Sequence, residues 1–254
     1  MSIRFERQGH VGIALLDDGP RRNVLSSALV RELLDVLEAS RRERVRAIVI
    51  GSAGSLFCAG ADISEMLGAD WETWIHPQPD RPTPLDLFEA LEADPRPIVA
   101  AVDGPAIGGG VELTLACDLV LAGPGATFML PELAHGAIPN TAMARLPSLI
   151  GARAARDLVL TRRRVAADEA LRLGLVNRVV TGEPLHAAAV AVAAAIVAAP
   201  PGAIAAAKRG MACTPDWAAI RRLLRTMRPE ECNEGFAAFV EKRRPGFDAH
   251  WDRS

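Results

Sequence analysis

Apolar and polar positions give the chain two rhythms in succession. Up to about residue 183, short apolar runs alternate with segments of helical period. Val11-Gly12-Ile13-Ala14-Leu15-Leu16 reads as a buried strand, residues 26–38 place Leu33, Leu34 and Leu37 on one helical face, and Ala47-Ile48-Val49-Ile50 reads as a second strand. The rhythm returns at Ile98-Val99-Ala100-Ala101-Val102, followed by the turn Asp103-Gly104, an apolar helix over 111–117 and a short strand over 119–122. Strand, helix and strand in this order predict an α/β arrangement with right-handed crossovers. From Pro184 onward the periodicity is helical alone, over 185–199, 202–212, 216–227 and 229–243, with proline-rich breaks between.

The expected organisation is therefore an α/β core over 1–183 and a helical region over 184–254. Alanine-rich helices bury little area by themselves, so the tail is expected to pack on the core or on a neighbouring copy. Residues 66–95 form a long, proline-dense connection with a helix-like stretch at 85–92. Loops of this length often serve binding. Trp71 and Trp74 lie within it and are readable as anchors of the loop to its own body.

Candidate chemistry lies in three places. Gly108-Gly109-Gly110 stands at the junction of a strand and a helix, with Val111 between it and Glu112. A helix start leaves N–H groups unpaired and partly positive, and glycine lets a substrate approach them. Upstream, Phe57-Cys58-Ala59-Gly60-Ala61-Asp62-Ile63 follows another strand as a tight small-residue loop. Its Ala61 N–H can aim at the oxygen that the Gly109 N–H would contact. Two such donors make an oxyanion hole, in which each contributes roughly 3 kcal/mol of transition-state stabilisation. Glu132, in Phe128-Met129-Leu130-Pro131-Glu132-Leu133, supplies a second carboxyl group, and the two glutamates suggest paired acid/base work. Glu112 in a first helical turn would also serve simply to offset the helix dipole.

These segments resemble the crotonase, or enoyl-CoA hydratase/isomerase, superfamily. The resemblance spans nearly the whole chain, in family order: 11–16 with Arg22-Asn23-Val24-Leu25, then 57–63, 104–118, 128–139, 170–180, and Phe239-Val240-Glu241-Lys242-Arg243. It implies a spiral of repeated ββα units with a C-terminal all-helical oligomerisation region. It further implies a homotrimer or homohexamer acting on an acyl-CoA thioester, with coenzyme A present only as part of the substrate and no separate cofactor. Carried over by motif, Ala61 and Gly109 correspond to the oxyanion donors, and Glu112 and Glu132 to the glutamates that add water across the α,β double bond. Arg22, Ala59, Asp62, Ile63, Gly108, Phe239 and Lys242 correspond to substrate- and CoA-binding positions, the last two reaching CoA from a neighbouring subunit. As an alternative to anchoring their loop, the resemblance implies that Trp71 and Trp74 cap a substrate. Lys242 is also readable as a surface lysine, and Lys208 reads as structural.

One departure stands out. Where hydratases carry a glycine-rich stretch, this chain has Asn140-Thr141-Ala142-Met143, which is expected to reshape the acyl pocket or shift the water. Double-bond isomerisation is the main alternative within the superfamily, and a non-catalytic acyl-CoA-binding homologue is the alternative outside enzymology.

Composition narrows the partners. A formal net charge of -2 predicts no affinity for nucleic acid or an anionic membrane. The four cysteines, Cys58, Cys117, Cys213 and Cys232, lack C-x-x-C spacing and are expected to be reduced. His10, His76, His135, His186 and His250 are scattered, which predicts no metal site. Only His135 is near a candidate, either bonding beside Glu132 or serving as a turn residue. The apolar run 185–199 is too short to span a bilayer, and the first residues lack an apolar signal core, so a cytoplasmic protein is expected.

Overall fold

The computed structural model describes residues 2–20, 22–70, 76, 78, 80–211, 218, 221, 225 and 229–246. Trp71, Trp74, Cys213, His250 and most of the helix expected over 216–227 lie outside the described residues.

The chain begins as an antiparallel hairpin of β1 (Ile3–Gln8) and β2 (Val11–Leu16). α1 (Ser27–Arg42) crosses to β3 (Ala47–Ser52), which runs parallel to β2. The helix expected over 26–38 thus extends to Arg42. Ser26 caps its start by accepting from the Leu29 N–H at 3.3 Å, and Arg41 and Arg42 face the negative end of its dipole. Next come α2 (Ile63–Met66) and α3 (Pro84–Ala93), where Thr83 and Asp86 form a reciprocal cap. β4 (Ile98–Val102) and β5 (Pro105–Ile107) lead into α4 (Gly109–Leu115), and β6 (Leu119–Ala122) and β7 (Thr127–Met129) into a single helical turn, Glu132–His135. α5 (Asn140–Ile150), α6 (Ala152–Thr161), β8 (Val165–Ala166), α7 (Ala167–Leu173) and β9 (Arg178–Val179) follow. The tail carries α8 (Leu185–Ile196), α9 (Pro201–Met211) and α10 (Pro229–Val240).

A six-stranded sheet takes the order β1-β2-β3-β4-β6-β9, parallel throughout apart from the β1 edge. The short strands make a second layer, β5-β7-β8, extended by bridges from Cys58 to Ala106 and from Leu25 to Ala61. Each turn of the chain thus adds one strand to each layer. This is the spiral of repeated ββα units that the resemblance implies.

Strand alternation sorts the interior. Ile48, Ile50, Ile98, Ala100 and Val102 join the large core with α1 and α3, while Ala47, Val49, Val99 and Ala101 face Leu185, Ala188, Ala189 and Ala193 of α8. A parallel sheet covered on both faces needs such fully apolar strands. The small side chains of α8 let it lie directly on the sheet, so this first part of the alanine-rich tail packs on the core.

Behind the sheet a buried ion pair ties α1, α3 and β4 together. The Arg96 guanidinium donates to Asp94 at 2.7 and 2.9 Å, to the Ser40 hydroxyl at 2.9 Å and to the Leu37 carbonyl at 2.9 Å. The Asp94 side chain is 0% exposed and that of Arg96 10%. Burial pushes the Asp94 carboxyl up, but the hydrogen bonds and charge of Arg96, with Arg41 nearby, hold it below its ordinary value. Arg96→Leu leaves this buried carboxylate with Arg41 at 3.2 Å but without the Arg96 donors, and is expected to cost about 1–3 kcal/mol, readable as a lowered melting temperature. Because the folded pKa is depressed, the wild-type contribution is complete above the unfolded carboxyl range and lost as pH falls through the folded value.

Candidate active site

The two glycine-bearing loops meet at the end of the short-strand layer β5-β7-β8. Gly108, with φ +54°, opens α4, so the helix begins at Gly109, earlier than the expected 111–117. Gly109 and Gly110 therefore sit in the first turn itself. A Cβ added to Gly109 would stand 3.1 Å from the Ala61 nitrogen, and one on Gly60 would stand 3.1 Å from the Gly109 nitrogen. Among the described residues, neither the Ala61 nor the Gly109 backbone N–H has a hydrogen-bond partner. Unpaired, largely buried backbone donors are rare, and two that adjoin are suited to one shared acceptor.

The loop carrying Ala61 is held on both sides. Toward β5, Phe57 N–H donates to the Pro105 carbonyl at 3.0 Å and Ile107 N–H to the Cys58 carbonyl at 2.9 Å. Toward the segment after β2, Ala59 N–H donates to Arg22 at 3.2 Å and Leu25 N–H to Gly60 at 2.8 Å. The Cys58 thiol, pushed up to about 12 by burial, donates to the Asn23 carbonyl at 3.1 Å. Its surroundings keep it protonated, which suits a reduced core residue.

Glu112 lies in α4 with 7% of its surface exposed. Its Oε1 accepts from the Thr141 N–H at 2.8 Å and the Ala142 N–H at 3.0 Å, both in the unpaired first turn of α5. Glu132 opens the turn after β7, and its Oε1 would be 2.8 Å from a Cβ on Gly108. Its Oε2 is buried without a hydrogen-bond partner. Burial raises both carboxyl groups above their ordinary range. The Thr141 and Ala142 N–H groups pull Glu112 back down, whereas the charge on Glu112 pushes Glu132 further up. The pair therefore favours one proton, resting on Glu132. Such a site can take a proton at one carboxyl and give one at the other, beside donors for a developing oxyanion.

A model of the enoyl-CoA hydratase/isomerase family matches residues 6–250. The chain belongs to this family. It is 38% identical over 234 residues to a probable enoyl-CoA hydratase of Mycobacterium tuberculosis, covering 89% of this chain and 91% of that protein. An enoyl-CoA hydratase/isomerase from Pseudoalteromonas atlantica superposes with a TM-score of 0.85 at 30% identity, covering 97% of this chain and all of that one. A carnitinyl-CoA dehydratase from Mycobacterium avium superposes at 0.83 and 32% identity, covering 98% and 99%.

The remaining candidates of this family member are placed less uniformly. Arg22 is exposed at φ +59° beside Ala59. Asp62 caps α2, accepting from the Ser64 N–H at 3.0 Å and from the Ser64 hydroxyl. Ile63 packs with Ala137, Cys232 and Phe236. Phe239, 54% exposed, meets the His135 ring edge-on with centroids 5.2 Å apart, and burial lowers the His135 pKa. Lys242 is exposed at the end of α10. In this single chain α10 folds back onto the turn that carries Glu132. Gly235 permits the approach, since a Cβ there would fall 2.1 Å from the His135 carbonyl oxygen. Lys208 bridges Asp118 at 2.7 Å and the carbonyls of Leu91 and Arg96, a structural tie.

Thr141 and Ala142 carry a function that the sequence did not reveal. Replacement of glycines there pointed to the pocket, but backbone N–H groups hold Glu112, and a backbone donor does not depend on the side chain. Pro139 before a polar Asn140-Thr141 start was the available signal for a helix N-terminus.

Proposed function

We propose that the chain is an enoyl-CoA hydratase, adding water across the α,β double bond of a 2-enoyl-CoA. The observation that carries the reading is the pair of carboxyl groups at Glu112 and Glu132, both raised by burial and the second raised further by the charge on the first, beside the unpartnered N–H groups of Ala61 and Gly109. The thioester carbonyl accepts from Ala61 and Gly109, which draws electron density from the β-carbon. Glu112, whose charged form the α5 N–H groups favour against its burial, removes a proton from water as its oxygen bonds to the β-carbon. The double-bond electrons pass into the carbonyl as an enolate, and Glu132 delivers its proton to the α-carbon as the enolate collapses. The product is a 3-hydroxyacyl-CoA, and the proton has moved from one carboxyl to the other. Exchange with solvent restores the starting state.

Arg22, Ala59 and Lys242 are assigned to the CoA portion, with the mobile Lys242 ammonium suited to a phosphate. Asp62, Ile63 and Gly108 support the thioester side, and Phe239 closes over His135. Assembly as a trimer or hexamer and a cytoplasmic location belong to the same proposal; no single helix among the described residues is long and apolar enough to cross a membrane.

A bell-shaped dependence of kcat on pH is expected. Activity falls on the acid side as Glu112 takes up a proton, and on the alkaline side as Glu132 loses its own, and both limbs lie above the ordinary glutamate range because both groups are raised. Rates followed by loss of enoyl-thioester absorbance test this. A profile flat from pH 5 to 9 contradicts the assignment.

A further inference from the structure

The spacing of the two unpartnered N–H groups depends on three segments lying side by side: 22–25, 57–61 and 105–107. Backbone bonds join the second to the third; Ala61 ends the second, and Gly109 stands just beyond the third. The first segment is fastened to the second in part by a side chain. Asn23 is 3% exposed and adopts φ +52°, a left-handed conformation that asparagine tolerates better than most residues. Its Nδ2 donates to the Leu56 carbonyl at 3.1 Å and the Phe57 carbonyl at 3.0 Å, while its Oδ1 accepts from the Asp18 N–H at 2.8 Å. The amide thus uses both ends, and its own backbone carbonyl accepts the Cys58 thiol. Asn23 touches neither carboxyl group.

We infer that Asn23 is a positioning residue for the oxyanion hole, clamping the start of the 57–61 segment so that the Ala61 N–H stays aligned with that of Gly109. The inference rests on the hydratase reading above. Without the clamp, the Leu56 and Phe57 carbonyls lose their side-chain donor, and the start of the 57–61 segment is held by its backbone bonds alone. A small displacement of one donor weakens polarisation of the thioester more than it weakens binding of CoA, because Arg22 and Ala59, assigned to the CoA portion, stay joined to each other by their own backbone bond at 3.2 Å.

Two variants separate the clamp from the backbone conformation. Asn23→Gly keeps the left-handed geometry and removes the amide. Asn23→Asp keeps an acceptor for Asp18 and removes the donor. The probe is 4-dimethylaminocinnamoyl-CoA, whose absorption moves to longer wavelength when its carbonyl is polarised. Wild-type protein is expected to shift the band. Both variants are expected to bind the probe with little change in Kd, to lose most of the shift, and to lower kcat on crotonyl-CoA roughly tenfold to a hundredfold with KM nearly constant. Leu33→Val in α1, which loosens the core away from the site, lowers the melting temperature but keeps the shift. Variants that retain both the full shift and kcat overturn the inference. Wild-type protein that binds the probe without any shift removes the hydratase reading, and this inference with it.

Discussion

Glu112→Gln is expected to lower the rate of water addition about a hundred- to ten-thousand-fold, the range over which a positioned acid or base acts. The substitution is informative because the site is built to accept it. A glutamine oxygen can still receive the Thr141 and Ala142 N–H bonds that hold Oε1 at 2.8 and 3.0 Å, so fold and side-chain position are kept. Only the charge, and the capacity to take a proton from water, disappears. A second consequence follows from the coupling. Glu132 is raised partly by the charge on Glu112, so its pKa moves down in the variant and any residual activity loses its alkaline limb at lower pH. Steady-state rates across pH, with binding of crotonyl-CoA measured separately, read both effects. Full activity in Glu112→Gln would remove this residue from the chemistry.

Gly110→Ala is expected to cost about a hundredfold in kcat, together with roughly 1–3 kcal/mol of stability. Alanine is the better helix former, so propensity alone predicts a gain in α4. Contact geometry opposes it. The added Cβ would fall 2.4 Å from the Cys58 carbonyl oxygen and 3.0 Å from its carbonyl carbon and Cβ, and a backbone group cannot rotate aside. Either α4 or the 57–61 segment must move, which separates the Gly109 and Ala61 donors. Gly202→Ala in α9 meets nothing within 4 Å and serves as the control, with stability unchanged or improved and activity intact. A Gly110→Ala protein as active as wild type would show that the approach of these two loops is not what sets the rate.

The sequence revealed most where chemistry and packing leave a period. Strands such as β3 and β4 are buried on both faces, so they appear as unbroken apolar runs. The two glutamates and the two small-residue loops were visible because a close backbone approach demands glycine or alanine in a recognisable order. Three things were hidden. α5 was not foreseen because Pro147 lies inside it and breaks the helical signal. The donors to Glu112 belong to the backbone of Thr141 and Ala142, and backbone groups leave no residue signature. The contact of Gly235 with His135 joins residues a hundred positions apart, a proximity that only the folded chain creates. Asn23 was legible as part of a motif, but its role depends on the carbonyls it reaches across the chain.

Incubation of the wild-type protein with crotonyl-CoA in deuterated water, followed by absorbance and by the mass of the product, tests the central claim most directly. The account predicts loss of the enoyl absorbance, gain of one hydroxyl at the β-carbon and one solvent deuteron at the α-carbon, and none of these in Glu132→Gln despite retained binding. If crotonyl-CoA and longer or branched enoyl-CoAs bind but gain no oxygen, or if the double bond migrates without water being added, the two-carboxylate hydratase is contradicted.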